Sequence, residues 1–213
     1  GFFKDTARSF WTTGDDGNNT ALGGVAKQLP SAGSRKAYTY IGSSPASEVN
    51  LNVSNYLLKS ENFGISNSAL DVADNTERLA LINWLRGDDN GQPRGAIGDP
   101  LHSIPRLVTY KCNTFTDATF TACSSEEQSV FVGTNEGFVH AFDTRTGIEQ
   151  MAFMPKELLG NIKALKANEQ STTNKPRKYG MDNTVVTWAN DANGNGVIYG
   201  GRNPSNPAAL LSG

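Results

Sequence analysis

The chain has 213 residues, with 19 Lys and Arg against 21 Asp and Glu and a formal net charge of −2. That near-balance leaves no basic footprint for nucleic acid, and no stretch approaches the roughly 18 apolar residues that a membrane-crossing helix needs. Hydrophobic residues make up 37%, enough for a core, and 22 glycines among abundant Asn, Thr and Ser suit many short strands and turns.

Residues 1–34 read as loop-rich, with Asp15-Asp-Gly-Asn-Asn19 and the small-residue run Leu22-Gly-Gly-Val-Ala26. Arg35 to Ile41 alternates as a strand does, and Glu48 to Val53 is a second candidate. Asp74 followed by Glu77 three residues on is a capping-box pattern. It predicts a short helix to about Leu85 that buries Leu79, Ile82 and Leu85, stopped by Gly87. Residues 86–100 read as a Gly/Asp-rich loop, and Ile104 to Tyr110 as a strand.

The densest signal runs from Val130 to Met154. Val130 to Gly133 is apolar and β-rich, and Asn135-Glu-Gly137 supplies a turn with Gly where positive φ is needed. Phe138 to Phe142 is a second strand, Asp143-Thr-Arg-Thr-Gly147 a second turn, and Ile148 to Met154 a third strand. Three short antiparallel strands joined by tight turns make most of a propeller blade. Beyond them, Leu158, Leu159, Ile162 and Leu165 predict a helix over 156–167. Val185 to Trp188 and Val197 to Tyr199 predict short strands around an Asp/Asn/Gly loop. The chain opens on Gly1-Phe-Phe-Lys4 and ends on Leu211-Ser-Gly213, so a single partial domain over 1–213, cut from a longer protein, is expected.

Four features carry candidate chemistry. Cys112 and Cys123 flank a polar, Thr-rich stretch. A bridge would close one loop, stabilise the fold by about 3 kcal/mol and place the protein outside the cytosol; the other reading is two unrelated thiols. Asp191, Asn193 and Asn195 alternate before Gly196, as in the first half of an EF-hand-like calcium loop, with the Val197 carbonyl at the seventh place. The ninth place is Tyr199 and the twelfth Arg202, so one formal charge is left and Ca²⁺ affinity should be weak; the other reading is a polar turn that binds nothing. Arg86-Gly87-Asp88 is an RGD tripeptide, either a receptor contact or a chance occurrence at a helix end. His102 and His140 are the only histidines, and no nucleophile, base and orienter set accompanies them. Structural roles are expected for both, as for Asp99 and Asp143 in turns, and no catalytic residue is assigned.

Phe10-Trp11 with Asp15-Asp-Gly17 and Leu22-Gly-Gly-Val-Ala26 looks like the opening strand of a known family. So do Trp84-Leu-Arg-Gly87, Arg94-Gly-Ala-Ile-Gly-Asp-Pro-Leu-His-Ser-Ile-Pro105, the Val130 to Asp143 run with Thr146-Gly147, and Ala152-Phe-Met-Pro155. In this order, over roughly residues 8–199, they resemble the PilY/PilC family of type IV pilus tip proteins. The resemblance implies a mainly β fold, the first part of an irregular seven-bladed β-propeller, too short here to close its ring. It also implies a non-enzymatic, exported protein of the periplasm, outer-membrane surface and pilus tip. Its roles would be pilus assembly with minor pilins, twitching motility, host-cell adhesion and virulence. It implies a regulatory calcium loop at residues 191–199 and, in some members, integrin binding through an RGD. The Gly133 to Gly147 run is also similar to the repeat of quinoprotein dehydrogenases, though Ile148-Glu-Gln-Met151 stands where those carry Trp. It is similar too to outer-membrane assembly scaffold propellers.

Overall fold

A computed structural model describes residues 4–40, 65–112, 124–181, 183–189 and 196–200. The centre is a five-stranded mixed sheet ordered β1-β7-β6-β5-β4. Its strands are β1 (Ala37–Tyr40), β4 (Arg106–Cys112), β5 (Glu126–Gly133), β6 (Val139–Asp143) and β7 (Glu149–Pro155). β4 to β7 form an antiparallel meander, and β1 joins its far edge parallel to β7, with Ala37 opposite Ala152 and Tyr40 opposite Pro155. The three strands expected between Val130 and Met154 are β5, β6 and β7. Their two turns close as the glycines require, Gly137 at φ 105° and Gly147 at φ 71°. The described residues form a mainly β fold; among them the sheet is open and no ring of blades closes.

Helix α1 is one turn, Gly24–Lys27, and α2 spans Asn75–Arg86. The Asp74 side chain caps α2 by accepting the Glu77 N–H at 2.8 Å, and Gly87 ends it at φ 100°. Glu77 reaches back one residue further than a capping box requires, accepting the Ala73 N–H at 3.2 Å. The buried face of α2 is Arg78, Leu81, Ile82, Trp84 and Leu85. Leu79 is only half-buried, contrary to the expected spacing, because Leu81 and Trp84 take the inward positions. After Gly87 comes a hairpin of β2 (Asp88–Asp89) and β3 (Gln92–Pro93). Its turn residues, Asn90 and Gly91, both have positive φ. The helix expected over 156–167 divides into a 3₁₀ stretch, Lys156–Asn161, and α3, Ile162–Ala167.

The core lies where α2, α3 and the 3₁₀ stretches Ser68–Leu70 and Lys156–Asn161 cover the ends of β6 and β7. Ile65, Leu70, Ile82, Leu85, Phe138, Met154, Leu158, Leu159, Ile162 and Met181 are its largest fully buried side chains. The two helices are joined at the surface by Lys163 and Glu77, 2.8 Å apart. A separate hairpin pairs β8 (Val185–Ala189) with β9 (Gly196–Gly200). The strand expected at 48–53 lies outside the described residues.

The segment around Phe10-Trp11 is not a strand. Trp11 takes φ 65° in a turn, and its indole N–H donates to the Thr144 carbonyl at 2.8 Å. A Cβ placed on Gly147 would lie 2.6 Å from the indole Cδ2, so the ring rests directly on that glycine. A tryptophan more than a hundred residues upstream in the chain thus locks the β6–β7 turn.

Candidate functional site

The best-built polar constellation in the described residues lies under the sheet. Arg35, just before β1, is 2% exposed; His140 of β6 is 0% and Glu149 of β7 is 4% exposed. The Arg35 guanidinium grips Glu149 with two parallel bonds, Nε to Oε2 at 2.5 Å and Nη2 to Oε1 at 2.9 Å. This bidentate geometry is the strongest form of ion pair. Its remaining Nη1 donates to the Leu85 carbonyl at 3.1 Å, at the last turn of α2. His140 Nδ1 lies 2.7 Å from Glu149 Oε1, and its Nε2 lies 3.3 Å from the Thr134 hydroxyl. The Arg35 charge also faces the Phe138 ring at 5.7 Å.

The protonation states follow. Burial pushes the Glu149 carboxyl upward, but the bonds from His140 and Arg35 outweigh it and bring the pKa down to about 2. Burial, chiefly, lowers the His140 pKa below its ordinary 6.5 despite the Glu149 carboxylate. The imidazole is therefore neutral and donates from Nδ1 to Glu149, which leaves Nε2 an acceptor facing the Thr134 hydroxyl, whose one proton is shared with the Phe138 carbonyl at 3.4 Å. Such a set resembles a base with its orienter, but none of its members is more than 4% exposed. It is an internal pin that joins β1, β6, β7 and α2.

A second, partly buried pair lies beside it. Arg94 bonds Glu136, and its guanidinium stacks 3.9 Å from the Trp84 ring. Burial foremost, then the nearby Arg35 charge, brings the Arg94 pKa down to about 10, so it stays charged.

The residues singled out from the sequence fall in four places. Asp143 holds its turn as expected, with Oδ1 accepting the Arg145 N–H at 3.0 Å, the Thr146 N–H at 2.8 Å and the Thr146 hydroxyl at 2.9 Å. Asp99 acts through its backbone carbonyl, which accepts the Asn135 N–H at 2.9 Å. His102 is exposed, whereas Ser103 is buried and accepts the Gly133 N–H at 2.9 Å, so the two neighbours face apart. Arg86 ends α2 and donates to the Gly33 carbonyl at 3.2 Å, Gly87 is the helix cap, and Asp88 accepts the Gly91 N–H at 2.6 Å. The RGD is thus folded into a helix end and a hairpin.

Cys112 ends β4, and Cys123 lies outside the described residues, so the predicted bridge does too. Asp191, Asn193 and Asn195 also lie outside them. Val197 and Tyr199 sit in β9 opposite Trp188 and Val186, and Ala189 faces Gly196. Among the described residues no cluster of three or more His, Cys, Asp or Glu could hold a metal ion. None of their helices is long and apolar enough to cross a membrane.

Arg35, Thr134 and Glu149 did not stand out in the sequence. The available signal was a lone glutamate inside the apolar run Ile148 to Met154, opposite a strand that carries histidine.

Over 110 residues, 45% of the chain, the sequence is 29% identical to the type IV pilus biogenesis factor PilY1 of Pseudomonas aeruginosa (strain UCBPP-PA14). It is also similar to two PilY1 homologues of Xylella fastidiosa (strain Temecula1 / ATCC 700964), 37% identical over 101 residues and 30% identical over 111, each 38% of the chain. The chain carries a PilY1-like region. The matched stretches span only 10%, 8% and 7% of these PilY1 proteins. No family model matches the chain, and no solved structure matches it.

Proposed function

We propose that this chain is part of an exported, non-enzymatic type IV pilus biogenesis protein, and that its sheet is one blade of an irregular β-propeller. The observation that carries the reading is the PilY1-like region on a four-stranded antiparallel meander, β4 to β7, the form a blade takes. The sealed Arg35–Glu149–His140 set supports a scaffold role, because its acid and base groups hold the fold and meet no substrate.

On this reading the protein acts at the periplasm, outer-membrane surface and pilus tip. It works with minor pilins in assembly, extension and retraction, and it touches surfaces or host cells. A Cys112–Cys123 bridge fits export. Residues 191–199 hold Ca²⁺ weakly, through Asp191, Asn193, Asn195 and the Val197 carbonyl, with Tyr199 at the ninth place. The support is the placement of Gly196 and Val197 at the start of β9, paired with Ala189 and Trp188, so the two strand ends bracket the ligand run. Receptor contact through Arg86, Gly87 and Asp88 would draw on groups that already hold the fold, Arg86 on the Gly33 carbonyl and Asp88 on the Gly91 N–H.

Deletion of the gene in the source bacterium, with surface pili counted before and after complementation, tests the assignment. Loss of pili rescued by wild type is the expected result; unchanged piliation and twitching would remove it. Terbium luminescence on the purified chain tests the ion site. A signal abolished by Asp191→Ala is expected, and none up to millimolar ion would sink the calcium reading.

A further inference from the structure

Beside the internal pin lies an open cleft of about 620 Å³. Its walls are the 21–33 segment with α1, the α2 end with the β2–β3 hairpin, and Pro93 to Gly95. Four cations line it, Lys27, Arg35, Arg86 and Arg94, against one carboxylate, Asp88.

The four cations are not equivalent. Glu149 neutralises Arg35, and Glu136 neutralises Arg94. Among the described residues no carboxylate pairs with Arg86 or Lys27. Arg86 is half-buried, bonds only the Gly33 carbonyl, and keeps a buried Nε–H without a partner. Lys27 is exposed on the opposite wall. Asp88, whose Oδ1 accepts the Gly91 N–H, forms no ion pair with either of them and offsets one charge of the two, which leaves the cleft with an excess of cation. A half-buried guanidinium with an unmet N–H loses solvation without gaining a counterion. The buried Nε–H is closed to the cleft, but the guanidinium charge, with no counterion among the described residues, favours an anion there. A guanidinium fork matches a planar carboxylate better than a point charge. The apolar Leu29, Pro30 and Pro93 beside the cations suit the residues that flank an acidic side chain in an extended peptide.

We propose that this cleft is a docking site for an acidic peptide segment of a partner protein, whose side-chain carboxylate pairs with Arg86 while Lys27 steers it. The inference goes beyond pilus biogenesis and stands on the cleft alone. It also inverts the expected use of Arg86, which receives an acid here instead of being offered to a receptor.

The test is fluorescence anisotropy of the 213-residue chain with a labelled, end-capped peptide of alternating Glu and Ala, and with its Gln/Ala counterpart. The expected result is salt-sensitive binding of the Glu peptide only, weakened about tenfold or more by Arg86→Gln, the range for a charge-assisted hydrogen bond. Lys27→Gln, at an exposed position that folding does not need, should weaken it less. Arg177→Gln/Lys178→Gln, in a second basic groove, should leave it unchanged. Several results would overturn the proposal: equal binding of the Gln peptide, no binding up to millimolar peptide, loss in the Arg177/Lys178 variant, or indifference to both Arg86→Gln and Lys27→Gln. Competition by succinate as strong as by the peptide would point to a small-molecule site and overturn the peptide assignment.

Discussion

Replacing Glu149 with Gln keeps the volume of the side chain and removes its charge. In the folded chain Glu149 accepts two bonds from Arg35 and one from His140, with no solvent contact. Glutamine has one acceptor oxygen, so its NH₂ must face either the Arg35 Nε–H or the His140 and Arg35 Nη2 donors. The larger effect is on Arg35, whose charge becomes buried without a counterion while its Nη1 still holds the Leu85 carbonyl. Breaking a buried pair from one side costs roughly 3–5 kcal/mol, against a total stability of about 5–15 kcal/mol for a domain. At this chain length each kcal/mol moves the melting midpoint by about 2–4 °C, so a fall of roughly 6–20 °C is expected. Thermal and urea unfolding followed by circular dichroism would measure it. The double variant Arg35→Met/Glu149→Leu, which removes both charges, should recover part of the loss, because an apolar pair needs no desolvation of ions. A single-variant loss under about 1 kcal/mol would refute the view that this pair is a buried lock in which each charge compensates the other.

Local signals were legible where short-range chemistry decides the structure. The glycine turns at 137 and 147, the Asp74 cap and the Gly87 stop each depend on a few neighbouring residues, and each forms as the sequence indicates. The Asn90-Gly91 hairpin carried its signal too, but polar flanks with no alternation hid its two-residue strands. What could not be read was long-range. Nothing local tells Arg35 that its partner is 114 residues away, or Trp11 that it will rest on Gly147. The parallel pairing of β1 with β7 has the same character, since β1 is too short to announce a partner or a direction. Only the family resemblance places Trp11 in a strand; the contact with the 143–147 turn instead holds it in a turn at φ 65°. The site therefore reads as scattered charged residues in sequence and as a single pin only once the sheet has assembled.

Three further outcomes follow from the packing. Gly180→Ala should be strongly destabilising, because its Cβ would fall 2.4 Å from the Gly137 backbone, which has no side chain to swing away; urea unfolding that matches wild type would refute that close approach. Asp74→Ala should cost about 1 kcal/mol through the lost cap on α2, read as a lower urea midpoint at unchanged slope, and Asp74→Asn should restore most of it. Acidification should destabilise the chain in two stages. The folded His140 stays neutral below its ordinary pKa of 6.5 while the unfolded imidazole takes up a proton, so stability begins to fall as pH drops through 6.5. Glu149 is ionised in the folded chain down to about pH 2, whereas the unfolded carboxyl protonates near 4.5, so its share is present above 4.5 and is lost between there and 2. That second share is about 3 kcal/mol at 1.36 kcal/mol per pKa unit. Glu149→Gln should flatten the lower window and His140→Asn the upper one, relative to wild type. A wild-type stability that is level from pH 7 to 3 would mean that neither proton is excluded by the fold, and that the Arg35–Glu149–His140 set is open to water.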